Sequence, residues 1–378
     1  MFFILVACAA LLWRALAKRE PLGLALVPRA FAATAIAWAA LCVASLAWSI
    51  DAGYSAQELR RELLYGSLAF VVFFAGTRSA AELHLWVRLL IAGALVLGVC
   101  EWLRALFPNE AWARSISVGP GPFSTHVVMI LPLLAIAAWR APDGLGWRLP
   151  ATLATGLALL LLGLAGESRI LWVALIAGSM VAFPLYAKAA APGGRARAIA
   201  GRVFVASLVV LVIFMALSTE YKIRYYPRAA STAEMLALDE RPLIWRVALG
   251  KVRDAPVLGH GYGRDIVGEE IRTSLENAGA PPYAHGHSTL IDSALQLGVV
   301  GFLAFVAMMG SLVGALAAAR RTAAGMPVAI AGLAMFAAYA VKNCTDDFYF
   351  RPNSLVFWAI AGMLLGRSAC ARAAADSA

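Results

Sequence analysis

An all-α, polytopic membrane protein is the fold class this sequence predicts, and three observations predict it. Apolar runs of about 18 or more residues recur along the chain with almost no charge, each long enough to cross about 30 Å of hydrocarbon. Apolar residues make up 62% of the 378 positions and charged residues 14%, with a mean hydropathy of +0.77; soluble domains hold about 45–50% and about 25%. Lysine and arginine gather in short loops between the runs, as the positive-inside rule expects of cytoplasmic loops. These features exclude a soluble enzyme, a nucleic-acid binder and a β-barrel. The net charge of +10 then reflects orientation in a membrane, not a polyanionic partner.

The first run, "MFFILVACAALLWRALAKRE", carries its charges after its apolar core, the wrong order for a cleavable signal peptide. It is expected to be a retained helix, spanning 2–17. Further spans are predicted near 30–50, 63–78, 83–106, 123–140, 149–166, 169–187, 203–219, 288–317, 325–342 and 353–370, about eleven in all. Loops holding Arg14/Lys18/Arg19, Arg78, Arg140/Arg148, Lys188/Arg195/Arg197/Arg202, Arg320/Arg321 and Arg367/Arg372 would face the cytoplasm. The alternate loops, around 51–62, 107–122, 166–168, 220–287 and 343–352, would lie outside. Three divisions follow: an N-terminal helix bundle over 1–219, a large outer loop containing helices over 220–287, and C-terminal membrane helices over 288–378. The cysteines Cys8, Cys42, Cys100, Cys344 and Cys370 have neither paired nor metal-type spacing.

The outer loop is the one extended polar segment, with 9 Lys/Arg against 8 Asp/Glu between 221 and 286. Within it, "DERPLIWRVALGKVRDAP" places Asp239, Glu240 and Pro242 where a first helical turn favours acids and proline. Pro256 and Gly259 close that helix, and "VLGHGYG" follows as a glycine-rich loop. The loop ends in "YAHGHS", two of the chain's five histidines one residue apart at the edge of an apolar run. Neutral imidazole, with an ordinary pKa near 6.5, suits His287 to taking a proton near neutral pH. An interfacial histidine bonded to a loop carbonyl is the plainer alternative. Charged candidates on the same side are Arg60, Arg61, Arg169, Arg241, Arg246, Arg264, Asp292, Asp346 and Asp347, with His260 and His285. Arg169 could instead anchor its helix by snorkelling, and Arg241 could pair with Asp239 or Glu240. His84 and His126, beside or within apolar spans, are expected to be structural.

His287-Ser288, nine residues, then Gly298-Val299-Val300-Gly301 resembles the signature of the bacterial O-antigen ligase family. "ERPLIWRVALGKVRDAPVLGHGYG", "GESRILWVAL" and "GPFSTHVVMILPL" resemble three further stretches of that family in the same order, over about 40–365. The resemblance implies a GT-C-type glycosyltransferase architecture with one large periplasmic loop, in the inner membrane, with about twelve spans. It implies transfer of a glycan from undecaprenyl pyrophosphate to a sugar hydroxyl of lipid A–core on the periplasmic face, among membrane lipids. His287 would be the general base. Arg169 and Arg241, with Arg246, Arg264, His285 and Ser288 in weaker supporting roles, would bind substrate, since guanidinium forks bidentately onto phosphate oxygens. No cofactor or metal is expected, and Asp346 would orient an arginine or Lys342. Where family members often place asparagine after the histidine, this chain has Ser288. An O-antigen polymerase or a protein O-oligosaccharyltransferase shares these motifs, and a polysaccharide transporter is the alternative of another class.

Overall fold

A computed structural model describes residues 22–139, 149–190, 194–225, 239–347 and 349–376; the first predicted span, 2–17, lies outside them. In chain order its helices are α1 (Arg29–Ala44), α2 (Ala52–Glu58), α3 (Tyr65–Ala75), α4 (Ala80–Leu106), α5 (Ala111–Ser115), α6 (Pro120–Ile130), α7 (Leu134–Ala138) and α8 (Leu149–Gly163). They continue as α9 (Arg169–Ala190), α10 (Gly194–Tyr225), α11 (Arg241–Asp254), α12 (Gly268–Asn277), α13 (Thr289–Ala318), α14 (Met326–Cys344) and α15 (Pro352–Asp376). No strand occurs among the described residues. Nine helical segments there are long and apolar enough to cross a membrane, so the chain is a multi-pass membrane protein. Backbone polar groups have no water to bond in hydrocarbon, and helices satisfy them internally.

The run expected to span 63–78 takes a different form. Its helical stretch begins at Ala52, passes through a π segment at Leu59–Leu64, and leaves only Tyr65–Ala75 as the apolar α-helix. Glu62 within the π segment accepts hydrogen bonds from the Arg351 backbone N–H at 2.8 Å and from Ser354 Oγ at 2.7 Å, an anchor that hydropathy does not register.

The chain divides into two compact units. The first comprises residues 1–76, 238–315 and 343–366; the second comprises 77–237, 316–342 and 367–378. In the first, α15 crosses α3 closely. A Cβ at Gly362 or Gly366 would fall 2.3 Å from the carbonyl oxygen of Phe70 or Phe74, the small-residue spacing that lets membrane helices approach. In the second, α4 opens on a reciprocal cap between Ser79 and Glu82. Its far end is fixed by Glu101, fully buried, which accepts from Ser117 Oγ, Val118 N and Gly119 N and pairs with Arg104.

The outer-loop helix predicted between Asp239 and Pro256 is α11, with Pro242 in its first turn. With α12 and the start of α13 it closes a small apolar core of Ile244, Ala248, Ile266, Val267, Ile271, Leu275 and Leu295. α13 is broken once, at Leu297 (φ −129°, ψ 17°) and Gly298 (φ 62°, ψ −163°). The glycine-rich loop 256–261 fills the break. Val299 and Val300 N–H donate to the carbonyls of Pro256 and Val257, and His260 and Gly261 N–H donate to those of Leu295 and Gln296. Trp48 Nε1 donates to Leu258 O at 2.9 Å from α1's side of the unit. Two motifs far apart in the chain are therefore one clasp, each satisfying the backbone groups the other frees.

Candidate active site

The clasp and the small core hold the turn Tyr283–Ser288 against the start of α13. His287 lies there with φ 47°, a left-handed conformation uncommon for residues other than glycine, though asparagine, aspartate and histidine adopt it more often than the rest. Its ring packs edge-on to Tyr283, with centroids 4.6 Å apart, and beside His285 at 4.2 Å. Nδ1 faces Asp346 Oδ1 at 3.8 Å, too far for a hydrogen bond but close enough to stabilise a positive ring. Nε2 is buried and has no hydrogen-bond partner among the described residues.

Asp346 also holds Arg241, whose Nη2 lies 3.2 Å from Oδ1. Arg241 further donates to Thr345 O from Nε at 2.7 Å and pairs with Asp239 at 3.2 Å. The expected pairing with Asp239 is present, and the second partner, Asp346, comes from the end of α14. Burial works against the charge of Arg241, but Asp346 and Asp239 outweigh it and hold its pKa above the ordinary arginine value. Its side chain stays 31% exposed, which leaves an edge for a ligand.

Arg264 has a larger part than its loop position suggested. Nε donates to Asp347 Oδ2 at 2.7 Å, and Nη2 donates to Asp347 O at 3.0 Å and to His285 Nε2 at 2.9 Å. Its guanidinium lies 4.3 Å from the centroid of the Phe350 ring, an attractive placement for a cation. The His287 backbone N–H also approaches His285 Nδ1, at 3.2 Å. A neutral imidazole has one lone pair in its plane to offer, so the shorter, charge-assisted contact to Arg264 takes it.

Burial, then the Arg264 cation, then the neighbouring His287 push the His285 pKa down to about 2. His285 is thus a neutral acceptor fixing Arg264. The unfolded chain, with an ordinary histidine pKa near 6.5, binds a proton that the folded state refuses. Stability attributable to this group is therefore intact above pH 6.5 and falls by up to about 1.4 kcal/mol per pH unit below it. Thermal unfolding in detergent between pH 7 and 5 should show that acid-side loss reduced in His285→Asn; identical curves would refute the assignment.

Other sequence candidates fall elsewhere. Ser288 is buried just ahead of α13, its carbonyl accepting from Asp292 N–H at 2.8 Å; it shapes the turn. Arg246 is exposed on α11, five residues and so about 140° round the helix from Arg241. Arg61 pairs with Glu58 at 3.1 Å. His260 sits in the clasp with Nε2 against Lys251 O at 2.9 Å, and His126 is buried with Nδ1 against Pro122 O at 2.9 Å. Arg169 opens α9 in the second unit, where Lys342 Nζ donates to the adjacent Ser168 Oγ at 3.0 Å. Of the two partners expected for Asp346, the first unit thus supplies an arginine, Arg241.

His285, Asp292 and Asp347 each bring one polar atom within 4.8 Å of the others, a set that could hold a cation. The Arg264 guanidinium already lies on two of the three, which supplies positive charge and opposes a second cation. One cavity adjoins this cluster, and a second adjoins the first. The first, of about 40 Å³, is lined by Arg264, Thr289, Asp292, Gln296 and Asp347. The other, of about 180 Å³, is apolar and walled by Phe31, Phe70, Met308 and Trp358; Trp38, Glu62, Tyr262 and Tyr349 border both.

A search of curated proteins gives no match. Residues 151–306 match the family model described as O-antigen ligase, a stretch that includes Arg169, Arg241, Arg264, His285 and His287 and ends before Asp346 and Asp347. That domain is shared by O-antigen ligases and polymerases, which are glycan-transferring enzymes. The chain is a multi-pass membrane protein whose residues 151–306 match the O-antigen ligase family model.

Proposed function

We propose that this protein is an O-antigen ligase of the bacterial inner membrane, transferring a glycan from undecaprenyl pyrophosphate to a sugar hydroxyl of lipid A–core at the periplasmic face. The observation that carries the reading is His287 itself, whose Nε2 has no hydrogen-bond partner among the described residues while Asp346 stands by Nδ1. Nε2 takes the acceptor hydroxyl's proton as the oxygen attacks the anomeric carbon, and Asp346 stabilises the imidazolium that results. This is the division of labour between base and carboxylate in a hydrolase triad. Tyr283, half-buried at the ring's edge, is the neighbour that gives way to the acceptor.

Pyrophosphate disperses charge and leaves readily, so the donor needs cations more than it needs an acid. Arg241 supplies a partly exposed guanidinium held in place by Asp346 and Asp239, and Arg169 is proposed to contribute a second. Direct displacement inverts the anomeric configuration. The apolar cavity offers room for part of a lipid chain beside the polar one.

The reading makes the chemistry metal-independent, because guanidinium groups neutralise the departing diphosphate. Reconstitution with purified lipid-linked glycan and lipid A–core in detergent tests it. Labelled glycan should appear on lipid A–core at a rate unchanged by chelator. A loss restored by Mg²⁺ or Mn²⁺ would overturn the metal-free mechanism. Product only on a second lipid-linked glycan would make the enzyme a polymerase, product on serine or threonine a protein oligosaccharyltransferase, and no product outside sealed vesicles a transporter.

A further inference from the structure

We propose that Asp292 is a neutral carboxylic acid that shares its proton with Asp347 and thereby positions the turn carrying His287; this rests on His287 being the base. Asp292 lies in the first turn of α13, 1% exposed. Its Oδ1 accepts from the Gly286 backbone N–H at 2.7 Å, and its Oδ2 is buried with no hydrogen-bond partner among the described residues. An ionised carboxylate left half-satisfied in such a place is costly.

The polar groups around it decide where the proton resides. Asp347 accepts from Thr289 Oγ1 at 2.9 Å and from Arg264 Nε at 2.7 Å. Arg264 lies on Asp347 and His285, and no hydrogen bond or ion pair joins it to Asp292 among the described residues. His285 is neutral, its lone pair committed to Arg264. Two carboxyl groups within 4.8 Å of each other do not both ionise readily in a buried site. Asp347, with the guanidinium and the hydroxyl, keeps the charge. Asp292 keeps the proton and directs it from Oδ2 towards Asp347, which satisfies the orphaned oxygen.

The positioning consequence is direct. Gly286 packs so tightly on Asp292 that a Cβ there would fall 2.8 Å from Oδ1, and His287 follows with its left-handed backbone. The acid ties the strained turn to α13 on one side and to the Asp347–Arg264 pair on the other. It takes no proton from the acceptor.

Asparagine reproduces both bonds, its carbonyl accepting from Gly286 and its amide donating to Asp347. Infrared difference spectra of the full chain in detergent at neutral pH should show a protonated-carboxyl band that Asp292→Asn removes. Asp292→Asn should keep transfer within about five-fold with an unshifted pH profile, while Asp292→Ala, still folded, should lose about 100-fold in kcat, as misplacement of a base by about 1 Å does. A missing band would overturn the proposal whatever the enzyme transfers. So would an asparagine variant as inactive as alanine, or a Ca²⁺- or Mg²⁺-dependent rise in Tm that Asp292→Asn abolishes. Absence of glycan transfer in the unmutated protein, with the band present, would instead sink the ligase reading alone.

Discussion

Replacing His287 with asparagine is expected to lower kcat for glycan transfer by about 10²–10⁴-fold, the usual contribution of a positioned general base, while the protein stays folded. Asparagine is the informative replacement because it tolerates the left-handed φ of 47° that this position adopts, so the turn keeps its course. Alanine should be as inactive but less stable, since it meets the same backbone strain and also empties the contact between Tyr283 and His285. The lost interaction exists chiefly in the transition state, when Nε2 gains a proton and Asp346 gains a cation to face. The defect should therefore appear in kcat and kcat/KM alike, with little change in KM. Initial rates at varied acceptor concentration, with protein levels equalised, measure this. Transfer by His287→Asn at the unmutated rate would remove His287 from the chemistry, and a rise in KM at constant kcat would make it a binding residue only.

Much of the architecture was legible because a membrane imposes simple rules on sequence. All nine long apolar helices among the described residues coincide with runs that hydropathy marks, and one of them, α13, begins where "YAHGHS" ends. α11 announced itself through Pro242 and the acids before it. The π segment at Leu59–Leu64 did not, because apolarity runs smoothly from Leu63 into α3 while the local backbone is set by the anchoring of Glu62 to Arg351 and Ser354.

The site was half legible. His287 stood out by its border position and spacing. Arg264 did not, because its weight comes from partners 21 and 83 residues away, His285 and Asp347. Asp346 and Asp347 are adjacent in sequence yet serve different arginines, Arg241 and Arg264 respectively; a paired-acid reading takes them as one feature. In the sequence Gly259 and Gly261 mark only a glycine-rich loop and Gly298 only a motif position, and the fold shows that they are needed where two backbones meet.

That meeting makes Gly298→Ala the substitution expected to destabilise the fold most, by about 4 kcal/mol or more, the range reached when backbone strain and overpacking combine. The conformation at Gly298, φ 62° and ψ −163°, belongs to a region that is essentially glycine's alone. An added Cβ would fall 2.2 Å from Val257 O and 2.6 Å from Leu258 N. These are backbone atoms of the clasp, so no side-chain rotation relieves the clash. Backing the loop away breaks the bonds from Val299 and Val300 to Pro256 and Val257 and those from His260 and Gly261 to Leu295 and Gln296. Freed backbone groups in a water-poor setting have nowhere else to turn. Gly310 provides the control, since it lies in the same helix and a Cβ there meets open space. Gly310→Ala should be neutral or stabilising by about 0.5–1 kcal/mol. Apparent Tm in detergent, read alongside the folded yield, should separate the two variants widely. If Gly298→Ala melts with Gly310→Ala, the break in α13 does not depend on the clasp, and the shared role assigned to the two glycine motifs is wrong.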